Sequence, residues 1–291
     1  ITICGGLFTE FGMKTILQNF VGPYQERYLP ADIDKTIRHN GRLEKIGTGS
    51  DEITVLHVRG SPYNMGYEHG RLLRDQVHEV HEMVLERFPL VFYYDVKKEI
   101  QKKISREFGK GTTDFLDSII PETPLKKIAS TGTSVLLKDA RALLHFSRES
   151  LEEMIGLSDG SGVPFESILT LHTIPSVTER SCSGIAALGP ATIDGKLYQV
   201  RILDYLMGMG IQKHSLITVY HPDPELPGQR FGFGNVGWAG FIGVVTGMNE
   251  QGIAISEMGY GTQKEKLPGT EPYPPETLEG EGMPFRLKRI L

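Results

Sequence analysis

The spacing of apolar residues divides the chain into two parts near residue 180. Before this point apolar side chains recur every three or four residues, as at Val77, Val80, Val84 and Phe88, and this is the period of an amphipathic helix. Pro89 is expected to end the helix that carries this stripe. The pattern predicts helices over about 64–88, 94–108, 113–119, 137–157 and 164–173.

Short runs of β-branched and aromatic residues, separated by glycine turns, fill the chain after residue 180. The residues Asp194 and Gly195 predict a hairpin turn, and the segment from Gly247 to Gly252 predicts another. The fold class expected from the two patterns is α+β, with a mainly helical part followed by antiparallel sheet. The predicted strands are 53–58, 184–189, 196–203, 214–221, 229–235, 240–246 and 252–258.

Composition narrows the classes of function. The 291 residues are 39% hydrophobic and 23% charged, as in globular proteins, and the formal net charge is −5. An acidic balance gives no basic face for nucleic acid, and no apolar run approaches the ~20 residues of a membrane helix, so neither partner is expected. The cysteines, Cys4 and Cys182, make no disulfide framework, and the compartment, cytoplasmic or exported, stays open.

Cys182 is the candidate nucleophile. It follows Ser181, and a strand, a glycine turn and a second strand lead from it to Arg201 and Asp204. Cleavage of the peptide bond between Ser181 and Cys182 would make Cys182 a new N-terminus. Its α-amine, with an ordinary pKa of about 8, could then take the proton of the thiol on the same residue. These residues therefore indicate a self-cleaving hydrolase.

The spacing of Arg201 and Asp204 limits how both side chains can reach Cys182. Arg201 and Asp204 are three residues apart, and residues at this spacing on a regular strand point to opposite faces. Both side chains can meet Cys182 only if the strand bends, bulges or ends by about Leu203. The alternative is that the two form an ordinary ion pair at the surface.

Three motifs resemble the peptidase C45 family of autoproteolytic acyltransferases and hydrolases, which is related to the fungal isopenicillin N acyltransferase and belongs to the N-terminal-nucleophile (Ntn) superfamily. The first, GSPYNMGYEHG from Gly60 to Gly70, is similar to the family's pro-segment motif. The second, from Cys182 to Tyr205, looks like the start of the catalytic subunit. The third is the hairpin sequence GMNEQGI that begins at Gly247.

The resemblance implies an αββα sandwich of antiparallel sheets, with residues 1–181 as a mainly helical pro-segment and residues 182–291 as the start of the catalytic region. It also implies that the two cleavage products stay associated. Arg201 would stabilise the thiolate or the developing negative charge, and Asp204 would orient the α-ammonium.

The same resemblance implies a small-molecule substrate. This would be an acyl amide, or an acyl thioester such as one of coenzyme A, whose acyl group passes through a thioester on Cys182. Water or an amine would resolve that thioester, and the sequence leaves hydrolysis and acyl transfer equally open. No metal or organic cofactor is implied.

The sequence departs from the family pattern at two positions. Ile202 stands where relatives often carry Asn, and Gly259 stands where the bile-salt and penicillin V hydrolases place an Asn or Tyr of the substrate pocket. No oxyanion-hole side chain is assigned, because in relatives it lies beyond residue 291. We therefore expect a C-terminal part to be missing. The chain alone is expected to aggregate through unpaired strand edges and an uncovered apolar face, with the helix at 283–291 lacking a partner surface.

Two other functions stay open. An Ntn-like fold that does not cleave itself would bind a ligand or a partner instead. A metal-dependent hydrolase would use His78 and His81, which lie with Glu82 on one predicted helix, although a solvated helix face is the simpler interpretation. The segment from Gly232 to Gly237 matches G-x-G-x-x-G, but a strand-like run follows it instead of the helix that dinucleotide binding needs.

Overall fold

The computed structural model describes residues 29–109, 144–177, 182–204, 210–226, 231–258 and 280–291. These residues form an α+β fold, as the sequence predicts. The helices are α1 (Pro62–Leu72), α2 (Arg74–Phe108), α3 (Arg148–Ser161), α4 (Phe165–Val177) and α5 (Met283–Ile290). The strands are β1 (Arg42–Ile46), β2 (Ile53–Gly60), β3 (Leu144–His145), β4 (Ser183–Gly189), β5 (Gly195–Ile202), β6 (Ser215–Pro222), β7 (Phe233–Trp238), β8 (Thr246–Asn249), β9 (Ala254–Ser256) and β10 (Gly280–Glu281).

A six-stranded sheet in the order β1-β2-β6-β7-β8-β9 lies at the centre of the fold. Strands β2 and β6 are parallel, and the other neighbours are antiparallel. One face of the sheet packs on the helices, where alternate residues such as Leu56, Val58, Leu216 and Tyr220 are buried in one core with side chains of α1 to α4. Because β1 and β2 precede Cys182 and β6 to β9 follow it, both parts of the chain build this sheet.

Helices α1 and α3 cross with their backbones nearly in contact. Each carries two glycines four residues apart, Gly66 and Gly70 on α1 and Gly156 and Gly160 on α3. A Cβ atom at Gly156 would lie 2.0 Å from the carbonyl oxygen of Tyr63, and one at Gly66 would lie 1.9 Å from a backbone oxygen of α3. The glycines of the first sequence motif therefore have a packing role, since they let two helix backbones approach this closely.

Helix α2 corrects the prediction for residues 64–88. The helical path breaks at Leu73, whose φ of −119° and ψ of 32° are not helical, and then continues through Pro89 to Phe108. The predicted apolar stripe from Val77 to Phe88 is buried, as expected. The expectation that Pro89 ends the helix is wrong, because a proline inside a helix removes one hydrogen bond and kinks the helix without always stopping it.

Two predicted strands differ from the observed ones. Residues 239–245, here called the connector, are an irregular buried segment where a strand was expected at 240–246. The strand before the connector is β7 and not 229–235. A short apolar run has the same pattern in a buried loop as in a strand, which explains the error. The helix predicted at 113–119 lies outside the described residues.

Two buried histidines hold the connector. Nε2 of His69, on α1, accepts a hydrogen bond from the N–H of Gly240 at 3.0 Å, and Nε2 of His172, on α4, accepts one from the N–H of Ile242 at 3.0 Å. The Nδ1 of His172 donates to the carbonyl of Ile168 at 2.7 Å. Burial lowers the pKa of His69 to about 3 and that of His172 to about 4, so both rings are neutral at neutral pH.

Stability is expected to fall as the pH falls below about 6.5. In the unfolded chain both histidines take up a proton near their ordinary pKa of about 6.5, whereas in the folded chain they stay neutral down to a pKa of about 4 for His172 and about 3 for His69. Within this window the unfolded state binds more protons, so each histidine lowers the free energy of unfolding by about 1.4 kcal/mol per pH unit.

Urea unfolding at about pH 7.5 and about pH 5 measures this loss. The variant His172→Gln keeps an acceptor for the N–H of Ile242 but cannot titrate. It is therefore expected to reduce the difference in unfolding free energy between the two pH values by about 2 kcal/mol, the contribution of one histidine over roughly 1.5 pH units. A pH dependence equal to that of the unaltered protein would contradict the assignment of His172 as a neutral acceptor.

The last helix, α5, packs into the same core. Phe285 is buried and meets Phe146 edge-on, with ring centroids 5.0 Å apart, and Leu291 is also buried. Lys288 forms an ion pair with Glu153 of α3, and burial raises the pKa of that carboxyl. The apolar side of α5 thus has a partner surface within the described residues, which corrects the expectation that it lacks one.

Candidate active site

The hairpin of β4 and β5 lies on the face of the sheet that the helices leave free. Gln199 donates to the hydroxyl of Ser256 at 2.7 Å, and Arg201 donates to the hydroxyl of Thr246 at 3.2 Å. Thr246 and Ser256 are cross-strand partners, and they alternate with residues whose side chains point toward the helices. The predicted hairpin turn is present, with Gly195 at a φ of 71°.

The outward face of this hairpin is apolar and open. Four large side chains on it are more than half exposed: Ile185, Tyr198, Val200 and Ile202. They are cross-strand neighbours on the side away from the six-stranded sheet. Among the described residues, this hairpin therefore presents a cluster of exposed apolar side chains.

Cys182 and Arg201 meet on the inward face of the hairpin. Arg201 is the cross-strand partner of Gly184, and Cys182 lies two residues before Gly184, so the two side chains point the same way. Nη2 of Arg201 lies 3.2 Å from Sγ of Cys182. Because residue 184 has no side chain, the space beside it is open to the thioether end of Met258.

Glu257 completes the cluster and was not predicted. Its Oε2 lies 2.6 Å from Nη2 of Arg201 and 3.9 Å from Sγ of Cys182, within reach of a thiol donor. Nε of Arg201 also donates to the backbone carbonyl of Glu257 at 2.8 Å. The Arg201 side chain is 4% exposed and that of Glu257 is 17% exposed, so solvent screens this ion pair weakly.

The hairpin of β8 and β9 positions Glu257. The side-chain oxygen of Asn249 accepts two backbone hydrogen bonds in the turn, and the resulting register pairs Thr246 with Ser256. Glu257 comes next, and its N–H donates to the carbonyl of Val245 at 2.8 Å. The sequence signal that could have indicated Glu257 is a carboxylate directly after strand β9.

The other predicted site residues do not join this cluster. β5 ends at Ile202, as the argument from strand geometry required, but Asp204 is exposed beyond it and has no hydrogen bond or ion pair to a described residue. Ser181 and Gly259 lie outside the described residues. The structure thus brings together Cys182 and Arg201 and leaves Asp204 apart.

A metal centre at His78 and His81 is not favoured. Nε2 of His78 lies 3.0 Å from the carbonyl oxygen of Ser161, so this nitrogen is engaged by the backbone. Across the described ranges, no group of three or more His, Cys, Asp or Glu side chains is placed to hold a metal ion. The G-x-G-x-x-G match falls largely in strand β7. The irregular connector follows it, and neither the expected strand-like run nor the helix that dinucleotide binding needs is present there.

The thiol of Cys182 lies beside one cation and one carboxylate. The guanidinium of Arg201 and the carboxylate of Glu257 carry opposite charges, so they act on the sulfur in opposite directions. Within the described part of the chain, the hydrogen-bond partners of the Cys182 side chain are Arg201 and Glu257, and no histidine is among them. A thiol in this setting needs some other group to accept its proton.

Comparison with known proteins gives relatives without a stated reaction. Protein dcd1B of Dictyostelium discoideum is 32% identical over 214 residues, which cover 73% of this chain and 39% of that protein. Protein dcd1A of the same organism is 28% identical over 235 residues, which cover 79% and 49%. An uncharacterized protein of Archaeoglobus fulgidus is 25% identical over 238 residues, which cover 74% and 34%.

The chain thus spans between about a third and a half of the length of these relatives. Their names state no substrate and no activity. No family model matches the chain. None of the helices in the described part of the chain is both long enough and apolar enough to cross a membrane.

Proposed function

We propose that this protein is an Ntn enzyme of the peptidase C45 type, which cleaves its own chain before Cys182 and then hydrolyses or transfers the acyl group of an amide. The observation that carries the proposal is the 3.2 Å distance between Nη2 of Arg201 and Sγ of Cys182, at the start of a hairpin. A buried guanidinium held at this place is suited to stabilise a thiolate on the residue that would become the N-terminus.

Self-cleavage needs only groups of the chain and water. The sulfur of Cys182 attacks the carbonyl carbon of Ser181, the bond from that carbon to the nitrogen of Cys182 breaks, and the nitrogen takes the thiol proton to become a free amine. Water then opens the thioester, adding its hydroxyl group to the carbonyl carbon and returning a proton to the sulfur. One product ends at Ser181 and the other begins at Cys182.

In turnover the same thiol would attack the carbonyl carbon of a small-molecule acyl amide. The α-amine takes the thiol proton and gives it to the departing amine, which leaves the acyl group as a thioester on Cys182. Water resolves this thioester in hydrolysis, and a second amine resolves it in acyl transfer. An acyl thioester, such as one of coenzyme A, could supply the acyl group in the second case.

The arrangement of layers supports the Ntn sandwich. Helices pack on one face of the six-stranded sheet, and the hairpin that follows Cys182 contacts the other face. Association of the cleavage products is supported by the pairing of β2 with β6 and by the ion pair of Glu153 with Lys288, since each joins residues before Cys182 to residues after it.

Asp204→Asn is expected to lower turnover by about 10²–10⁴-fold, the usual range for an acid–base contribution. In the cleaved protein the α-ammonium of Cys182 needs an oriented acceptor, and Asp204 is proposed to supply one once the new terminus is free. Because Asp204 is exposed in the intact chain, the free energy of unfolding should not change. Steady-state kinetics and urea unfolding measure the two quantities, and unchanged turnover would make Asp204 an ordinary surface residue.

Trapping the thioester tests the proposed function. Purified protein is mixed with a panel of acyl amides and acyl coenzyme A thioesters, quenched in acid and digested, and the peptide containing Cys182 is examined by mass spectrometry. An acyl adduct that hydroxylamine removes is expected on Cys182. Equal turnover by Cys182→Ala, or an adduct only on another residue, would contradict the proposal.

A further inference from the structure

The guanidinium of Arg201 contacts both the carboxylate of Glu257 and the thiol of Cys182. Its Nη2 lies 2.6 Å from Oε2 of Glu257 and 3.2 Å from Sγ of Cys182. Its Nε and Nη1 are engaged as well, by the backbone carbonyl of Glu257 and by the hydroxyl of Thr246. The guanidinium is therefore fixed in position, and its charge is already balanced by a carboxylate.

The carboxylate of Glu257 faces the sulfur of Cys182 as well as the guanidinium. Oε2 of Glu257 is 3.9 Å from the sulfur, so the S–H can donate to the carboxylate. Only the protonated thiol can make this hydrogen bond, and the low exposure of Arg201 and Glu257 limits screening of their charges by solvent. Before cleavage, the guanidinium of Arg201 lies beside both the carboxylate of Glu257 and the thiol of Cys182, and each of these groups can carry a negative charge.

Cleavage before Cys182 would add a second cation at this point. The new α-ammonium belongs to Cys182 itself and therefore forms beside the thiol, whose sulfur is 3.9 Å from Oε2 of Glu257. An ammonium group has three N–H donors, so it can bind Glu257 and still donate to Asp204. Two cations then face the carboxylate and the sulfur, which favours the thiolate.

We propose that Glu257 couples self-cleavage to activation of the thiol: it keeps Cys182 protonated in the intact chain and becomes the counter-ion of the α-ammonium in the cleaved protein. This regulation rests on the proposed function. After cleavage the thiol proton passes to the α-amine, the resulting ammonium binds Glu257, and Arg201 is left to stabilise the thiolate. The intact chain would then react slowly with acyl compounds, and the cleaved protein quickly.

One alkylation experiment measures both forms in the same sample. Trypsin cuts after Arg180 and Lys196, so intact molecules give the peptide 181–196 and cleaved molecules give the peptide 182–196. The full chain is treated with iodoacetamide near pH 7 for increasing times, quenched and digested, and the alkylated fraction of each peptide is followed by mass spectrometry.

The main variant is Glu257→Gln, which keeps the shape of the side chain and removes its charge. The matched control is Glu250→Gln, which removes a carboxylate from the turn of the same hairpin, away from the sulfur. Glu257→Asp keeps the charge but moves it one methylene group back. It therefore tests the charge effect should the amide variant fold poorly.

Glu257→Gln is expected to raise the alkylation rate of the intact peptide about tenfold and to lower that of the cleaved peptide. Glu257→Asp should shift the intact peptide in the same direction by a smaller factor, and Glu250→Gln should match the unaltered protein. Equal rates for Glu257→Gln and the unaltered protein in either peptide would overturn the coupling. Absence of the 182–196 peptide from the unaltered protein would instead overturn self-cleavage, and the intact peptide would still report whether Glu257 opposes the thiolate.

Discussion

Replacing Gly156 with alanine is expected to lower the free energy of unfolding by about 3 kcal/mol. The added Cβ would lie 2.0 Å from the carbonyl oxygen of Tyr63, and a backbone atom of a packed helix cannot rotate away as a side chain does. Glycine to alanine in an open helix position raises stability by roughly 0.5–1 kcal/mol. The close crossing of α1 and α3 therefore predicts a loss of stability where helix propensity alone predicts a gain. Urea unfolding followed by circular dichroism measures this change in the free energy of unfolding.

Gly234→Ala is the matched control for this prediction. Gly234 lies in β7, and the atom nearest to its added Cβ would be the carbonyl oxygen of Met248, at 4.0 Å. We expect its free energy of unfolding to change by less than about 1 kcal/mol. Equal stability of the two variants would contradict the near contact of the α1 and α3 backbones.

Replacing Arg201 with methionine is expected to slow alkylation of Cys182 about tenfold or more and to destabilise the fold by about 3 kcal/mol. Methionine has a similar length but no charge, so Cys182 loses the cation 3.2 Å from its sulfur. Glu257 loses its ion-pair partner, and a largely buried carboxylate without a partner is costly. Iodoacetamide kinetics and urea unfolding measure the two effects separately.

Lys196→Met removes a cation from the same strand and serves as the control. Lys196 is 77% exposed and pairs with Asp194 at 3.3 Å, at the end of the hairpin away from the thiol. Its loss is expected to leave the alkylation rate and the unfolding free energy nearly unchanged. Alkylation of Arg201→Met at the rate of the unaltered protein would reduce Arg201 to an ordinary ion-pair residue.

Local patterns predicted much of the fold. The stripe from Val77 to Phe88 repeats at the helical period and is buried, and Asp194 and Gly195 mark the hairpin turn that is present. The crossing of α1 and α3 was not predictable, because a glycine inside a helix shows only a weakness of that helix until its partner is known. The connector was misassigned because its backbone N–H groups are satisfied by His69 and His172, which lie far away in the sequence.

In the candidate site, as in the fold, the contacts that are local in the sequence were predictable and the distant ones were not. Cys182 and Arg201 belong to one hairpin, so local pairing is enough to bring them together. Glu257 lies on another hairpin 75 residues from Cys182, and no periodic pattern links the two. Asp204 was placed by resemblance to a family. Strand geometry allowed it to join Arg201 at Cys182 only if the strand ended by about Leu203, and Asp204 stays apart although β5 ends at Ile202.

Cys182 is proposed to become an N-terminus by the action of its own thiol. N-terminal sequencing and intact-mass measurement of the purified full chain, beside Cys182→Ala, test it directly. The unaltered 291-residue chain is expected to yield a 110-residue product beginning Cys-Ser-Gly-Ile-Ala, while Cys182→Ala stays intact. A folded, unaltered chain that remains a single species of 32.4 kDa would contradict the account, as would equal cleavage of Cys182→Ala.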